Sequence, residues 1–302
     1  MEFLEFLFPV SGVKTNILIP PLVAMVVSFF TSMGGVSGAF LLLPFQMSVL
    51  GYTSPSVSAT NFVYNIVAIP SGVYRYIKEG RMAWPLTWVV IAGTLPGVFI
   101  GYFIRVKYFP DPNAFKVFVG LVLLYLGTRL AIDIFKKKKT EDKSKNAAET
   151  AGREHMKVKM VSATLRRIEY DFRGERFSFG TLPMFLLAFA VGIIGGVYGI
   201  GGGAIIAPFC VAVFRLSVYT VAGAALMGTL ITSVAGVFFY SVMPSNLNTS
   251  PDWLLGFLFG AGGFVGMYFG AKAQKHVPQK AIKAILAVII LSLSLKYIVQ
   301  YF

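Results

Sequence analysis

Three observations predict an all-α polytopic membrane protein made of two inverted repeats. The 302 residues are 56% hydrophobic, only 13% are charged, and the mean hydropathy is +0.72. A glycine-rich break interrupts a long apolar run in each half, as GGVSGAFLLLPF at 34–45 and GGVYGIGGGAIIAPF at 195–209. Shifted by 164 positions, Gly35, Gly38, Pro44 and Phe45 fall on Gly199, Gly202, Pro208 and Phe209. No soluble core of this size uses so much apolar sequence, and several runs approach the ~20 residues that cross about 30 Å of hydrocarbon.

Each repeat reads as a glycine-broken helical hairpin followed by three transmembrane helices. Residues 17–50 would span roughly 51 Å as one helix, so two shorter helices meeting at the glycines fit a membrane better. The next segments are 57–74, 84–104 and 114–135, with Arg75, Lys78 and Arg81 in the first loop and Arg105 and Lys107 in the second. In the second half, 182–214 is the broken run, followed by 218–243, 253–271 and 281–302. Ala235-Gly236-Val237 answer Ser71-Gly72-Val73, and Gly262, Gly266 and Gly270 answer Gly93, Gly97 and Gly101. The expected units are a first repeat at 1–135, a linker at 136–178 and a second repeat at 179–302.

The net charge of +14 is concentrated rather than spread, with thirteen of the 27 Lys and Arg and seven of the 13 acids at 136–176. That concentration argues for a solvated cytoplasmic segment and against a nucleic-acid surface. The first half of the linker is polar and reads as mobile. In its second half Ile168, Tyr170 and Phe172 alternate with charges before Arg173-Gly174, the pattern of a small β-hairpin. We expect a clip rather than a regulatory domain.

Orientation follows the basic loops. The linker and the loop KAQKHVPQKAIK should be cytoplasmic, whereas MPSNLNTSPDW has no Lys or Arg and should lie outside. A hairpin plus three crossings is an odd number of passes, so the halves should face opposite ways. Arg105 and Lys107 run against this count, and a parallel repeat is the alternative. MEFLEFLFP lacks a basic n-region, so the N-terminus reads as mature.

Several function classes are excluded. The single cysteine, Cys210, with only His155 and His276, provides no metal site and implies no cofactor. No phosphate-binding GxxxxGK[ST] motif is present, which removes a single-chain ATP-driven pump. No carboxylate lies deep in any segment for a proton relay, and no histidine lies near Ser37, Ser71, Ser233 or Cys210 to make a nucleophile. The chain does not read as an enzyme.

The candidate site lies at the breaks. Two matched broken helices, one per half, point to a transporter's binding site. New helices should begin near Ser37-Gly38 and near Gly202-Gly203, aiming unpaired N–H groups and a positive dipole end inward. Such ends hold anions without a buried lysine or arginine. Close helix packing is the competing reading of the glycines. Thr60, Asn61, Tyr64 and Asn65 lie within about one turn of the second segment, with Asn61 and Asn65 on one face at i, i+4. Thr229, Thr232 and Ser233 sit at the same helical spacing in the sixth, and Thr229 answers Asn65 by the 164 offset. These polar groups should face inward, as ligand donors or as interhelical bonds. Cys210, the counterpart of Gln46, reads as a small hydrophobe. A leucine at Gly38 or Gly202 is expected to abolish transport and spare insertion.

The paired motifs GGVSGAFLLLP and GIGGGAIIAPF, with ATNFVYN, GTLPG and the EYDFRG turn, resemble the TauE/SafE family of sulfite and organosulfonate exporters over essentially the whole chain. The resemblance implies small sulfur-containing anions as substrates, and Gly35, Ser37, Gly38, Asn61, Gly201 and Gly202 at the translocation site. Ala224-Ala225 stand where the first repeat has Thr60-Asn61, so the site should be asymmetric. The expected protein is a secondary transporter, an exporter of sulfite or a sulfonate, working by alternating access in the cell membrane. Its partners are a small anion and the lipid bilayer. The rivals are an anion channel on the same frame, revealed by flux that never saturates, and a scaffold acting through the linker, which would fail on deletion of 137–154.

Overall fold

The apolar runs fold into ten helices among the described residues of the computed structural model, which are 5–33, 36–135, 157–273 and 279–299. Residues 34–35, the polar first half of the linker with His155, and the loop with His276 lie outside them. The first broken run forms α1 (Ile19–Met33) and α2 (Ala39–Ser48), and the second forms α6 (Thr181–Tyr198) and α7 (Gly203–Ala212). At about 1.5 Å per residue, α1, α2 and α7 are too short to cross hydrocarbon alone. The unbroken segments are α3 (Ser56–Lys78), α4 (Trp84–Tyr108), α5 (Pro112–Phe135), α8 (Val218–Val242), α9 (Trp253–Ala273) and α10 (Gln279–Val299).

Two of these helices run past their expected ends. Arg75 and Lys78 lie in the last turn of α3, and Arg105 and Lys107 in the last turn of α4, not in loops. A charge in an apolar run looks like a boundary, yet a helix continues wherever its backbone bonds can be completed and the charge is accommodated. Among the described residues four helices are long and apolar enough to cross a membrane: α4, α6, α9 and residues 219–242 of α8. α3 has the length for a crossing, but its sequence is more polar. Its Thr60, Asn61 and Asn65 are fully buried, so they meet protein rather than lipid.

The halves interlock. α4 packs on α6 and α9 on α1, while α3 and α8 touch each other and each also touches the fourth helix of the opposite half. Small residues permit the approach. Ideal Cβ atoms at Gly93, Gly97 and Gly101 would come within 2.7, 2.5 and 2.6 Å of the carbonyls of Phe185, Phe189 and Ile193. At Gly262, Gly266 and Gly270 they would come within 1.9, 2.1 and 2.2 Å of those of Pro21, Met25 and Phe29. α5 and α10 pack on each other, and Tyr297 of α10 donates to the Pro44 carbonyl of α2 at 2.9 Å.

Hydrogen bonds identify the two ends of the bundle. At one, Thr60 near the start of α3 accepts the Asp252 N–H at 2.9 Å, and Tyr102 of α4 donates to the Met243 carbonyl at 3.3 Å. The ribbon β1 (Glu5–Leu7) and β2 (Lys14–Asn16) docks there as Ser11 Oγ donates to the Asp252 carboxylate at 2.8 Å. This ribbon departs from the all-α expectation, because three-residue strands carry no readable alternation.

At the other end lies an antiparallel sheet of β3 (Lys159–Ala163), β4 (Arg167–Phe172) and β5 (Glu175–Gly180). Phe172 pairs with Glu175 around Arg173 and Gly174, both at positive φ (54° and 75°), as a type I′ turn demands. Ile168, Tyr170, Phe172 and Phe179 are buried. Tyr170 shares a 2.8 Å hydrogen bond with Thr220 of α8, and Val158 N–H donates to Gly80 O at 3.0 Å. The sheet thus ties the α3–α4 turn to the start of α8.

Burial pushes the Tyr170 phenol up from 10.0 to about 12, with the Thr220 bond acting in the opposite direction. The folded chain keeps this proton longer than the unfolded chain. The stabilisation is therefore whole below pH 10 and declines as pH rises toward 12. Tyr170→Phe should loosen the sheet by about 1 kcal/mol, measured as faster amide hydrogen exchange in β4. Wild-type protection should be flat from pH 6 to 9 after correction for the intrinsic exchange rate.

Candidate functional site

The second break exists because Gly199 and Gly201 adopt left-handed backbone, at φ +80° and +76°. Gly199 caps α6 with its N–H on Gly195 O at 2.9 Å. Past that cap, the Gly199 and Ile200 carbonyls have no following turn to bond them. The side-chain amides of α3 supply the donors. Asn61 Nδ2 donates to Gly199 O at 2.8 Å, and Asn65 Nδ2 donates to Ile200 O at 3.1 Å.

The same two side chains hold the first break. Asn61 Nδ2 also donates to Ala39 O at 3.1 Å, and its Oδ1 accepts from Gln46 Nε2 at 3.4 Å. Ser37 Oγ donates to Asn65 Oδ1 at 2.6 Å and accepts the Ala39 N–H at 3.3 Å. Asn65 Nδ2 reaches Ser233 Oγ at 3.1 Å, which brings in α8. The i, i+4 spacing makes this sharing possible, since both amides leave α3 on one face.

Proline chemistry adds another tie between the breaks. Pro44 has no N–H, so the Phe40 carbonyl four residues earlier loses its helical partner. Tyr198, the last residue of α6, donates its hydroxyl there at 2.8 Å. Tyr64 and Ser28 hydroxyls share a 2.7 Å bond, and the Tyr64 oxygen would lie 2.6 Å from a Cβ at Gly38.

Ser37, Asn61, Asn65 and Ser233 therefore form one buried network with the backbone of the second break. Gly38 and Gly202 are the N-caps of α2 and α7. A Cβ on Gly202 would meet Thr94 at 2.5 Å, and one on Gly203 would meet Ala225 O at 1.8 Å. A leucine at Gly38 or Gly202 thus collides before any ligand is involved, and tests packing as much as a site.

Thr229 and Thr232 are buried, but their hydroxyls donate to their own helix, at Ala225 O (2.9 Å) and Gly228 O (2.7 Å). They wall in Gly201, whose Cβ would lie 2.7 Å from the Thr229 methyl. Thr60 stands toward the end of the bundle, bonded to Tyr52 and the Asp252 N–H, outside the amide network. Gly35 lies outside the described residues.

Gln46, Tyr198 and Thr94 complete the surroundings without having been singled out for the site. Gln46 is fully buried and its Oε1 has no partner. Its readable signal was an amide in an otherwise apolar helix. Its counterpart Cys210 is buried, with Sγ 3.6 Å from Met184 Sδ. Among the described residues no cluster of His, Cys, Asp or Glu could hold a metal.

The sequence profile for sulfite exporter TauE/SafE matches residues 21–297. The probable membrane transporter protein YunE of Bacillus subtilis is 21% identical over 89% of this chain and 92% of its own length. The probable membrane transporter protein MamO of Magnetospirillum gryphiswaldense is 23% identical over 86% of this chain and 41% of its own. The MamO of Paramagnetospirillum magneticum is 22% identical over the same shares, so this chain spans well under half of either MamO. No solved structure matches the chain.

Proposed function

The chain belongs to the sulfite exporter TauE/SafE family, and on that premise we propose that it is a secondary transporter of a small anion, sulfite or an organosulfur compound. The reading rests chiefly on one observation: Asn61 and Asn65 each bridge the two helix breaks. Two helices begin there, so their first-turn N–H groups and positive dipole ends converge on one buried place. In the arrangement seen, the amides are latched to backbone carbonyls. Parting the halves frees the Asn61 and Asn65 N–H groups now held by the Gly199 and Ile200 carbonyls, beside the first turns of α2 and α7, to receive an anion.

Alternating access follows from halves 1–135 and 179–302 moving against each other, with the linker at 136–178 cytoplasmic and the protein in the cell membrane. Opposite orientation of the halves is supported by α3 beginning at the bundle end where α8 stops, by the Thr60–Asp252 and Tyr170–Thr220 contacts. The basic linker favours the cytoplasm at the sheet end.

The test is counterflow in proteoliposomes with sulfite, thiosulfate, sulfonates and carboxylates. Saturable sulfite exchange that sulfonates compete is the expected result. Flux that never saturates would make the protein a channel, and exchange of carboxylates alone would overturn the sulfur-anion assignment.

A further inference from the structure

Arg105 is the one fully buried arginine among the described residues (0% exposed), and it lies in the last turn of a membrane-spanning helix. Its guanidinium carbon lies over the Phe115 ring, 3.7 Å from the centroid, and Nη1 donates to the Phe109 carbonyl. Nε and Nη2 are buried without any partner. No described carboxylate pairs with it. Asp111, a few residues on, is occupied by the Ala114 N–H at the start of α5 (2.8 Å). The other polar group within electrostatic reach is the Tyr240 phenol, itself directed to Gly196 O at 3.2 Å.

A guanidinium cannot shed its proton in a protein, so burial does not neutralise it. Leaving such a charge uncompensated in a low-dielectric interior is strongly unfavourable. The two free N–H groups are also the pair that point along one edge of the planar fork. That edge matches two oxygens of a single oxoanion.

We propose that Arg105 is a second anion site, taking one small oxoanion two-pronged on Nε and Nη2 with the Phe115 ring closing one face. It lies at the bundle end marked by Met243 and Asp252, since Tyr102, one turn earlier on α4, reaches the Met243 carbonyl. Through Tyr240 it adjoins α6 just before the second break. The site does not depend on the substrate assigned to the amide network, because its readout is binding rather than flux. Sulfite and the phosphate of an anionic lipid share the required chemistry.

The experiment uses the full chain in phosphatidylcholine nanodiscs, titrated with sulfite, with a parallel arm in nanodiscs containing phosphatidylglycerol. In wild type, thermal stability should rise with sulfite or with the anionic lipid, and the arm that responds identifies the source. Arg105→Lys keeps the charge but loses the fork, and should weaken the response at least tenfold. Arg105→Met should remove that component and be at least as stable as wild type without anion, since the uncompensated charge is gone. Anion responses equal to wild type in both variants would overturn the proposal. So would an Arg105→Met protein less stable than wild type with its anion response intact. Should the methionine variant fail to fold, the lysine variant decides. Loss of exchange in an Asn65 variant with the Arg105-dependent response retained would separate the two sites.

Discussion

Asn65→Asp should cut substrate exchange at least 100-fold, about 2.7 kcal/mol in barrier, while the protein remains monodisperse in detergent. Aspartate fits the same space and can still accept from Ser37 Oγ, now 2.6 Å away. An ionised carboxylate cannot donate, so the Ile200 carbonyl and Ser233 hydroxyl both lose the Nδ2 donor they have at 3.1 Å. Each orphaned buried group costs about 1–3 kcal/mol. The new negative charge also stands where first-turn N–H groups would meet an anion. Protonation restores one donor, so exchange should partly return as the pH is lowered. Cys210→Ala, at the position answering Gln46 but away from the amides, should stay within about twofold of wild type, because buried cysteine behaves as a small hydrophobe. Equal exchange by Asn65→Asp and wild type at neutral pH would remove the amide network from the transport site.

What local pattern carries was readable, and what depends on distant pairing was not. The runs at 17–50 and 182–214 were too long for one crossing, and the glycines in them mark where each helix stops and restarts. Asn61 and Asn65 announced themselves by spacing, since two amides one turn apart in hydrocarbon must face a partner. Which partner was hidden, because the Gly199 and Ile200 carbonyls lie more than a hundred residues away and no residue type marks a freed carbonyl. Thr229 and Thr232 look in sequence like Ser233. Only the fold shows that a threonine hydroxyl can satisfy itself on its own helix, leaving Ser233 to reach Asn65. Arg105 was assigned to a loop by its charge, although the helix carries it inward onto Phe115. The sheet's alternation of Ile168, Tyr170 and Phe172 was plain, but its docking partner Thr220 stands beyond α6 and α7 at the start of α8, where no local pattern points to it.

Gly266→Leu should prevent recovery of folded protein, and Gly266→Ala should lower stability by about 1–3 kcal/mol, the usual cost of overfilling a packed contact. A Cβ at Gly266 would lie 2.1 Å from the Met25 carbonyl oxygen, and backbone cannot step aside as a side-chain tip can. Relief requires α1 and α9 to separate along the whole stripe, since Gly262 and Gly270 press on Pro21 and Phe29 in the same way. Membrane helices gain little from hiding apolar surface from lipid, so close van der Waals contact at small residues is what holds them together. The opposite half makes the same contact through Gly97, whose Cβ would meet Phe189 O at 2.5 Å, so Gly97→Ala should cost a similar amount. Gly120→Ala is the control. Its nearest neighbours are Ile298 Cγ1 and Tyr297 Cβ at 3.2 Å and the Ser294 carbonyl at 3.4 Å, so a shift of a few tenths of an ångström relieves the contact and the cost should stay below about 1 kcal/mol. Thermal melts of the three alanine variants in one detergent give the comparison. A leucine at Gly266 that melts with wild type would mean that α1 and α9 do not meet at these glycines. The interlocking that lets each half carry one wall of the shared breaks would then lose its mechanical basis.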